Sequence, residues 1–138
     1  MGFMQLTLHT DYALRVLIYL AMHPDQRVTI TELSTFFNIS RNHLVKVVHK
    51  LGLKGFIQSL RGKNGGLYLS RPADQIRIGD VVRQMEVHFH IVECFNPQKQ
   101  GTCPIQAQCK LTSLLCRAKE QFLKELDGTL LSEVLLHN

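Results

Sequence analysis

Four cysteines, Cys94, Cys103, Cys109 and Cys116, lie in the last third of the chain. Thiolates suit soft metals, redox exchange and nucleophilic attack, so their spacing decides which chemistry is open to them. The first three are separated by eight and five residues, on a segment broken by Pro97, Gly101 and Pro104 that lets three sulfurs turn toward one point. Three convergent thiolates make a soft site suited to iron-sulfur or zinc. Neither gap is the C-x2-C pair of zinc fingers or ferredoxins, so the bare pattern leaves both metals open. Cys116 follows Cys109 by seven residues, about 10.5 Å along the axis of a helix begun there. It reads as a small apolar residue near a dimer seam rather than a fourth ligand. Elsewhere the hydroxyls, carboxylates and histidines form no motif for nucleophilic or hydrolytic catalysis, and no phosphate loop is present; the chain reads as a non-enzyme.

The elements that must carry these thiols belong to a small folded unit. With 138 residues, 45% of them hydrophobic, the chain is far too apolar for a disordered tail and long enough for one core with an appendage. No run reaches the length of a membrane span, and the first ten residues lack the basic-then-apolar pattern of a secretory signal. The expectation is a cytoplasmic protein whose thiols stay reduced, which argues against a disulfide framework.

Hydrophobic periodicity predicts a helix from about Asp11 to Met22, capped by Thr10, with Leu14, Leu17, Ile18 and Ala21 on one face. Thr31 is the expected cap of a second helix carrying Leu33, Phe36 and Phe37, and Asn38 suits a left-handed turn at its end. Ser40 caps a third, whose Leu44, Val47, Val48 and Leu51 at i, i+3, i+4 and i+7 form a buried stripe. Two short helices joined by a tight turn have the form of a helix-turn-helix. Two strands then follow, Phe56 to Arg61 and Leu67 to Ser70. Between them the tip Arg61-Gly62-Lys63-Asn64-Gly65-Gly66 contains the Asn-Gly hairpin signal, giving a basic wing.

Charge assigns this unit a partner. From Arg41 to Arg71 there are seven basic residues and no acidic one, which leaves nine cations against eleven acids over the rest of the chain. A basic island on a near-neutral protein is the footprint of a polyanion, here double-stranded DNA. The candidate reading set is Ser40, Arg41, Asn42, His43, Lys46, His49 and Lys50 on the third helix, with Arg61, Lys63 and Asn64 on the wing. Asn42 suits adenine and Arg41 guanine, Lys46 and Lys50 suit phosphates, and a cationic wing tip fits a narrow minor groove.

After a short helix from Ile78 to Glu86 and the cysteine loop, Lys110 opens a long helix. Leu111, Leu115, Ala118, Phe122 and Leu126 repeat along it at steps of four and three, with Leu114 and Leu123 beside them. Such a seam calls for a partner, and a homodimer places two reading heads on two half-sites. The fold class is mainly α with a small β-hairpin: a winged helix-turn-helix with a C-terminal dimerisation helix. Residues 1–86 form the DNA-binding domain, 87–109 the cysteine loop, and 110–138 the dimerisation helix and tail.

The opening MQLTLHTDYALR, the helix SRNHLVKVVHKL, the wing RGKNGG, the segment RIGDVV, and VECF followed by CPIQAQCKL carry a wider likeness from Met4 to about Leu135. They resemble the winged-helix iron-sulfur transcription repressors, most closely the nitric-oxide-sensing NsrR-type members. The resemblance implies that Cys94, Cys103 and Cys109 hold an iron-sulfur cluster, 4Fe-4S ahead of 2Fe-2S. Nitric oxide is then the signal that releases operators of nitric oxide detoxification genes. Some relatives place a ligating histidine three residues after the last cysteine, where this chain has Thr112. In some NsrR-type proteins an aspartate of the first helix reaches the other subunit's cluster; the matching residue is Asp11 of the partner subunit, with His88, His90, Glu93 or an exogenous group open as alternatives. The gap between Cys94 and Cys103 is longer than in some relatives. The alternatives are a DNA-binding regulator using zinc or thiol redox chemistry without a cluster, and a small electron-transfer protein, which leaves the basic island and wing unexplained.

Overall fold

Three hydroxyl-capped helices build the first half of the fold; the computed structural model describes residues 5–63 and 65–136. Helix α1 spans Leu8–Met22, α2 Ile30–Phe37 and α3 Arg41–Leu53. The cap of α1 is Thr7, not Thr10: the Thr7 hydroxyl accepts from the Thr10 amide at 3.3 Å, and the helix starts three residues before its expected position. Thr10 is instead fully buried. The cap of α2 is likewise Thr29 rather than Thr31, accepting from the Glu32 amide at 3.1 Å. The pattern Thr29-x-x-Glu32 is the sequence form of a capping box, but the Glu32 carboxylate goes to the Tyr19 hydroxyl instead, tying α2 to α1 and pushing that phenol up to about 12. Asn38 takes the left-handed conformation at φ 55°, and Ser40 caps α3 through the His43 amide at 3.2 Å, both as expected.

Strands β1 (Ile57–Leu60) and β2 (Gly66–Leu69) form the antiparallel wing, with Ile57 opposite Leu69 and Leu60 opposite Gly66. Its base is anchored on the body, because the Leu67 amide donates to the Val28 carbonyl at 2.8 Å and Leu67 is buried. At Gly65 a Cβ would come within 2.8 Å of the Arg61 carbonyl carbon, so the turn requires glycine there.

The core gathers Val16, Leu17 and Leu20 of α1, Leu33 of α2, the stripe Leu44, Val47, Val48 and Leu51 of α3, and Phe56 at the start of the wing. Helix α4 (Ile78–Met85) adds Val81, Val82 and Met85 and packs between α1 and α5 (Lys110–Asp127). The two ends of α5 behave differently. Its last turns join the core through buried Leu123, and the chain beyond returns to α4: the Ile78 amide donates to the Thr129 carbonyl at 2.9 Å, the Leu131 amide to Ile76 at 2.7 Å, and Leu131 is fully buried. Arg83 clamps Asp127 with two hydrogen bonds, of 3.2 and 2.8 Å. Toward the start of α5, Leu111 (58%) and Leu114 (51%) are exposed, with Phe122 (47%) further along. Among the described residues, no helix is long and apolar enough to cross a membrane.

Candidate functional site

Helix α3 presents Arg41, Asn42, Lys46 and His49 to solvent, so four of the candidate reading residues lie on its free face. Three others are engaged with the body. The Ser40 hydroxyl is occupied as the cap; His43 is half-buried, edge-on to Tyr12 at 4.7 Å; and half-buried Lys50 donates from Nζ to the Met85 carbonyl at 2.9 Å. Arg41 donates to the Thr31 hydroxyl, bracing the first turn of α3 against α2. On the wing, Arg61 and Lys63 are exposed, and Asn64 lies outside the described residues. The outward Val45, 46% exposed, was missed because it lies off the buried stripe. It sets an apolar group of the kind that meets a thymine methyl among polar neighbours.

Behind α3 lies a polar hub that no local pattern announces. The Glu86 carboxylate, just past α4, accepts from the Thr7 amide at 3.2 Å, the Thr7 hydroxyl at 2.5 Å and the Thr10 hydroxyl. Glu86 thus sets a negative charge at the N-terminus of α1, where the helix dipole favours it. One residue earlier, the Met85 carbonyl receives Lys50 of α3. The end of α4 therefore holds both α1 and α3 immediately before the cysteine segment begins. His9 sits in the same cluster, with a buried Nε2 that has no hydrogen-bond partner among the described residues. Burial, then the charges of Lys50 and His43, push its pKa down against the opposing pull of Glu86.

The cysteine segment is irregular but held. Short 3-10 turns at Glu93–Phe95, Pro97–Lys99 and Gln106–Gln108 break it up. Gln100 donates to the Cys94 carbonyl at 2.7 Å, and Gln106 donates to the Gln100 side chain at 2.7 Å while accepting from the Gly101 amide at 2.8 Å. Between this segment and the first turns of α5 opens a cavity of about 760 Å³. Cys94, Cys109 and Cys116 line it, together with His88 and His90, whose rings stack at 4.1 Å.

Cys94 Sγ lies 3.5 Å from Thr112 Oγ1. Cys109 occupies the N-cap position of α5, with no side-chain capping hydrogen bond among the described residues. Its thiol is held below the ordinary range first by the Thr112 hydroxyl, then by the Thr112 amide, against burial, with the Leu111 amide adding to the effect. Cys103 is exposed and outside the cavity lining, so two of the three expected thiols share one site and the third stands apart. Among the described residues no three His, Cys, Asp or Glu side chains converge as a metal-binding group. Cys116, expected at the dimer seam, is exposed and faces the cavity. Asp11 makes a two-bond pair with Arg15 one turn on, at 2.9 and 3.1 Å, with both side chains about two-fifths exposed. Such a pair contributes little and opens readily.

The architecture is shared with solved proteins. The crystal structure of Staphylococcus aureus CymR matches 96% of this chain and 98% of its own, with a TM-score of 0.74 and 25% identity. CymR of B. subtilis, described as the global cysteine regulator of that organism, matches 96% of both chains with a TM-score of 0.75 and 24% identity. IscR of T. potens matches 93% of this chain and 83% of its own, with a TM-score of 0.72 and 22% identity. The last two show the likeness of fold alone. The Rrf2 family model, described as iron-dependent transcriptional regulator, matches residues 6–137. The chain therefore belongs to the Rrf2 family, whose members are DNA-binding transcription factors that act on operators as dimers and are not enzymes.

Proposed function

We propose that this regulator is a cytoplasmic repressor that carries an iron-sulfur cluster on Cys94, Cys103 and Cys109 and releases its operators in response to nitric oxide, as the NsrR-type proteins it resembles do. The observation that carries this reading is the meeting of Cys94 and Cys109 on one cavity, with Thr112 between them. The donor chemistry fits: three thiolates are a soft set suited to iron-sulfur, with 4Fe-4S favoured over 2Fe-2S. Cys103 joins them by movement of the exposed turn that carries it. Asp11 of the partner subunit is the candidate fourth ligand, freed by opening its surface pair with Arg15. When bound, the cluster supplies iron whose thiolate and sulfide ligands nitric oxide displaces.

The rest of the reading belongs to the protein's own residues. Residues 1–86 read DNA: Asn42 and Arg41 meet base edges, Lys46 and His49 lie beside them, and Arg61, Lys63 and Asn64 enter the minor groove or meet phosphates. Residues 110–138 pair two copies through Leu111, Leu114, Leu115 and Phe122, which leaves Leu123 to the chain's own core. Residues 87–109 join the Glu86 and Lys50 hub to α5, so their geometry sets the angle between two heads that must sit about 34 Å apart on successive major grooves. A hundredfold loss of operator affinity corresponds to about 2.7 kcal/mol, comparable with one or two charge-assisted hydrogen bonds in that hub.

Anaerobic reconstitution of single variants tests the ligand set. Cys94→Ala, Cys103→Ala and Cys109→Ala each lose iron and acid-labile sulfide, and Cys116→Ala keeps both. Zinc without sulfide in the wild type, or a full cluster in Cys103→Ala, overturns the assignment.

A further inference from the structure

Thr112 stands at the third position of α5, where its hydroxyl touches the sulfur of Cys94 and its side chain lines the cavity shared by Cys94 and Cys109. The hydroxyl lies 3.5 Å from Cys94 Sγ, and Cys109, one turn earlier at the start of the same helix, lines the same cavity. Cys94 arrives on a 3-10 turn of the irregular segment, whereas Cys109 opens the helix. One rigid element therefore presents a single hydroxyl at the junction of two proposed ligands. Threonine is stiff at χ1, so a hydroxyl fixed on a helix holds its direction better than one on a loop. The simpler reading, a threonine chosen only to fit the first turn of a helix and wall a cavity, makes the methyl group and the shape important but not the hydroxyl.

We infer that Thr112 is a positioning residue that sets Cys94 and Cys109 relative to each other and donates a hydrogen bond to their thiolates when they hold metal. The inference rests on the proposed cluster site and deepens it. An O–H bond to a thiolate withdraws charge from sulfur, which raises the reduction potential of the iron it ligates and stabilises the bound thiolate. A hydroxyl has one proton, so it donates to one sulfur at a time, and the two thiolates are held unequally.

Wild type, Thr112→Ser and Thr112→Val are compared in two ways: reconstituted anaerobically with iron and sulfide, and titrated metal-free with Co2+ alone while the thiolate-to-cobalt absorption is followed. Valine keeps the branched shape and removes the hydroxyl, whereas serine keeps the hydroxyl and loses the methyl. Circular dichroism confirms that each variant is folded. The expected result is that serine matches wild type, while valine shows a lower cluster reduction potential, about fivefold faster iron loss to a chelator and about fivefold weaker cobalt binding, the equivalent of one hydrogen bond. Valine equal to wild type, or serine failing as valine does, overturns the role of the hydroxyl. If wild type takes up no cluster, the cluster reading fails while the cobalt titration still decides the role of Thr112. Absence of cobalt-thiolate absorption in wild type overturns both.

Discussion

Replacing Glu86 by alanine removes the acceptor shared by the Thr7 amide, the Thr7 hydroxyl and the Thr10 hydroxyl. The largest cost falls on Thr10, because its side chain is fully buried and, among the described residues, keeps only the 3.2 Å contact with the Thr7 hydroxyl. A buried hydroxyl left short of a partner costs about 1–3 kcal/mol, and the surviving contact puts this one near the lower end. Removing a negative charge from the N-terminus of α1 adds about 0.3–1 kcal/mol. The two bonds to Thr7 are exposed and add less. The total is about 2–3 kcal/mol, equivalent to a fall in Tm of roughly 6–10 °C for a chain of this size. Urea and thermal unfolding at one fixed protein concentration measure it, since a dimer's stability depends on concentration. Exposed Glu93→Ala is the control, expected within about 0.5 kcal/mol of wild type. Combining Glu86→Ala with Thr10→Val removes the stranded hydroxyl, so the double variant is less destabilised than the sum of the singles by about 1 kcal/mol. A loss below about 0.5 kcal/mol for Glu86→Ala, or strict additivity in the cycle, refutes the hub.

Charged residues at Leu115 and Phe122 bury unpaired charge at the proposed seam, so sedimentation should find monomers with much weaker operator binding; an intact dimer places the interface elsewhere. Neutralising Arg61 or Lys63 should lower the salt dependence of operator binding by about one unit of slope each if both meet phosphates, whereas Asn42→Ala should relax base preference at one position. Unchanged slope and preference would remove those roles. Gly79→Ala puts a Cβ 2.7 Å from the Asp127 backbone nitrogen, where α4 crosses the end of α5. Its expected cost is at least about 1–3 kcal/mol by overpacking, read by urea denaturation, and a neutral substitution would show that the two helices are free to separate.

The parts of the fold that were legible in the sequence are those set by local patterns. The α3 stripe, the Ser40 cap, the left-handed Asn38 and the hairpin each follow from residues within a few positions of one another. The caps of α1 and α2 were misplaced by three and two residues because each offers a pair of threonines, and the choice depends on distant partners. Thr10 is claimed by Glu86, which no local pattern links to it. Periodicity found the apolar face of α5 but could not divide it, since Leu123 serves the chain's own core while Leu111, Leu114 and Phe122 remain exposed. At the cysteines, spacing allowed three sulfurs to converge, and the structure brings Cys94 and Cys109 to one cavity. The glutamine clamp of Gln100 and Gln106, the outlying Cys103 and the turn of Cys116 into the cavity depend on irregular backbone that has no period to read. Lys50 and His43 belong to the reading set expected on α3, but packing against α4 and α1 engages them with the body, through partners that no local pattern announces.

In the proposed mechanism the state of the cysteine segment governs DNA binding. Its most direct test is operator affinity measured at one salt concentration for cluster-loaded, nitric-oxide-treated and metal-free protein. The loaded form is expected to bind about a hundredfold more tightly than the other two, a difference of about 2.7 kcal/mol. Equal affinity in all three states would contradict it, leaving a DNA-binding regulator whose cysteines do not control the operator.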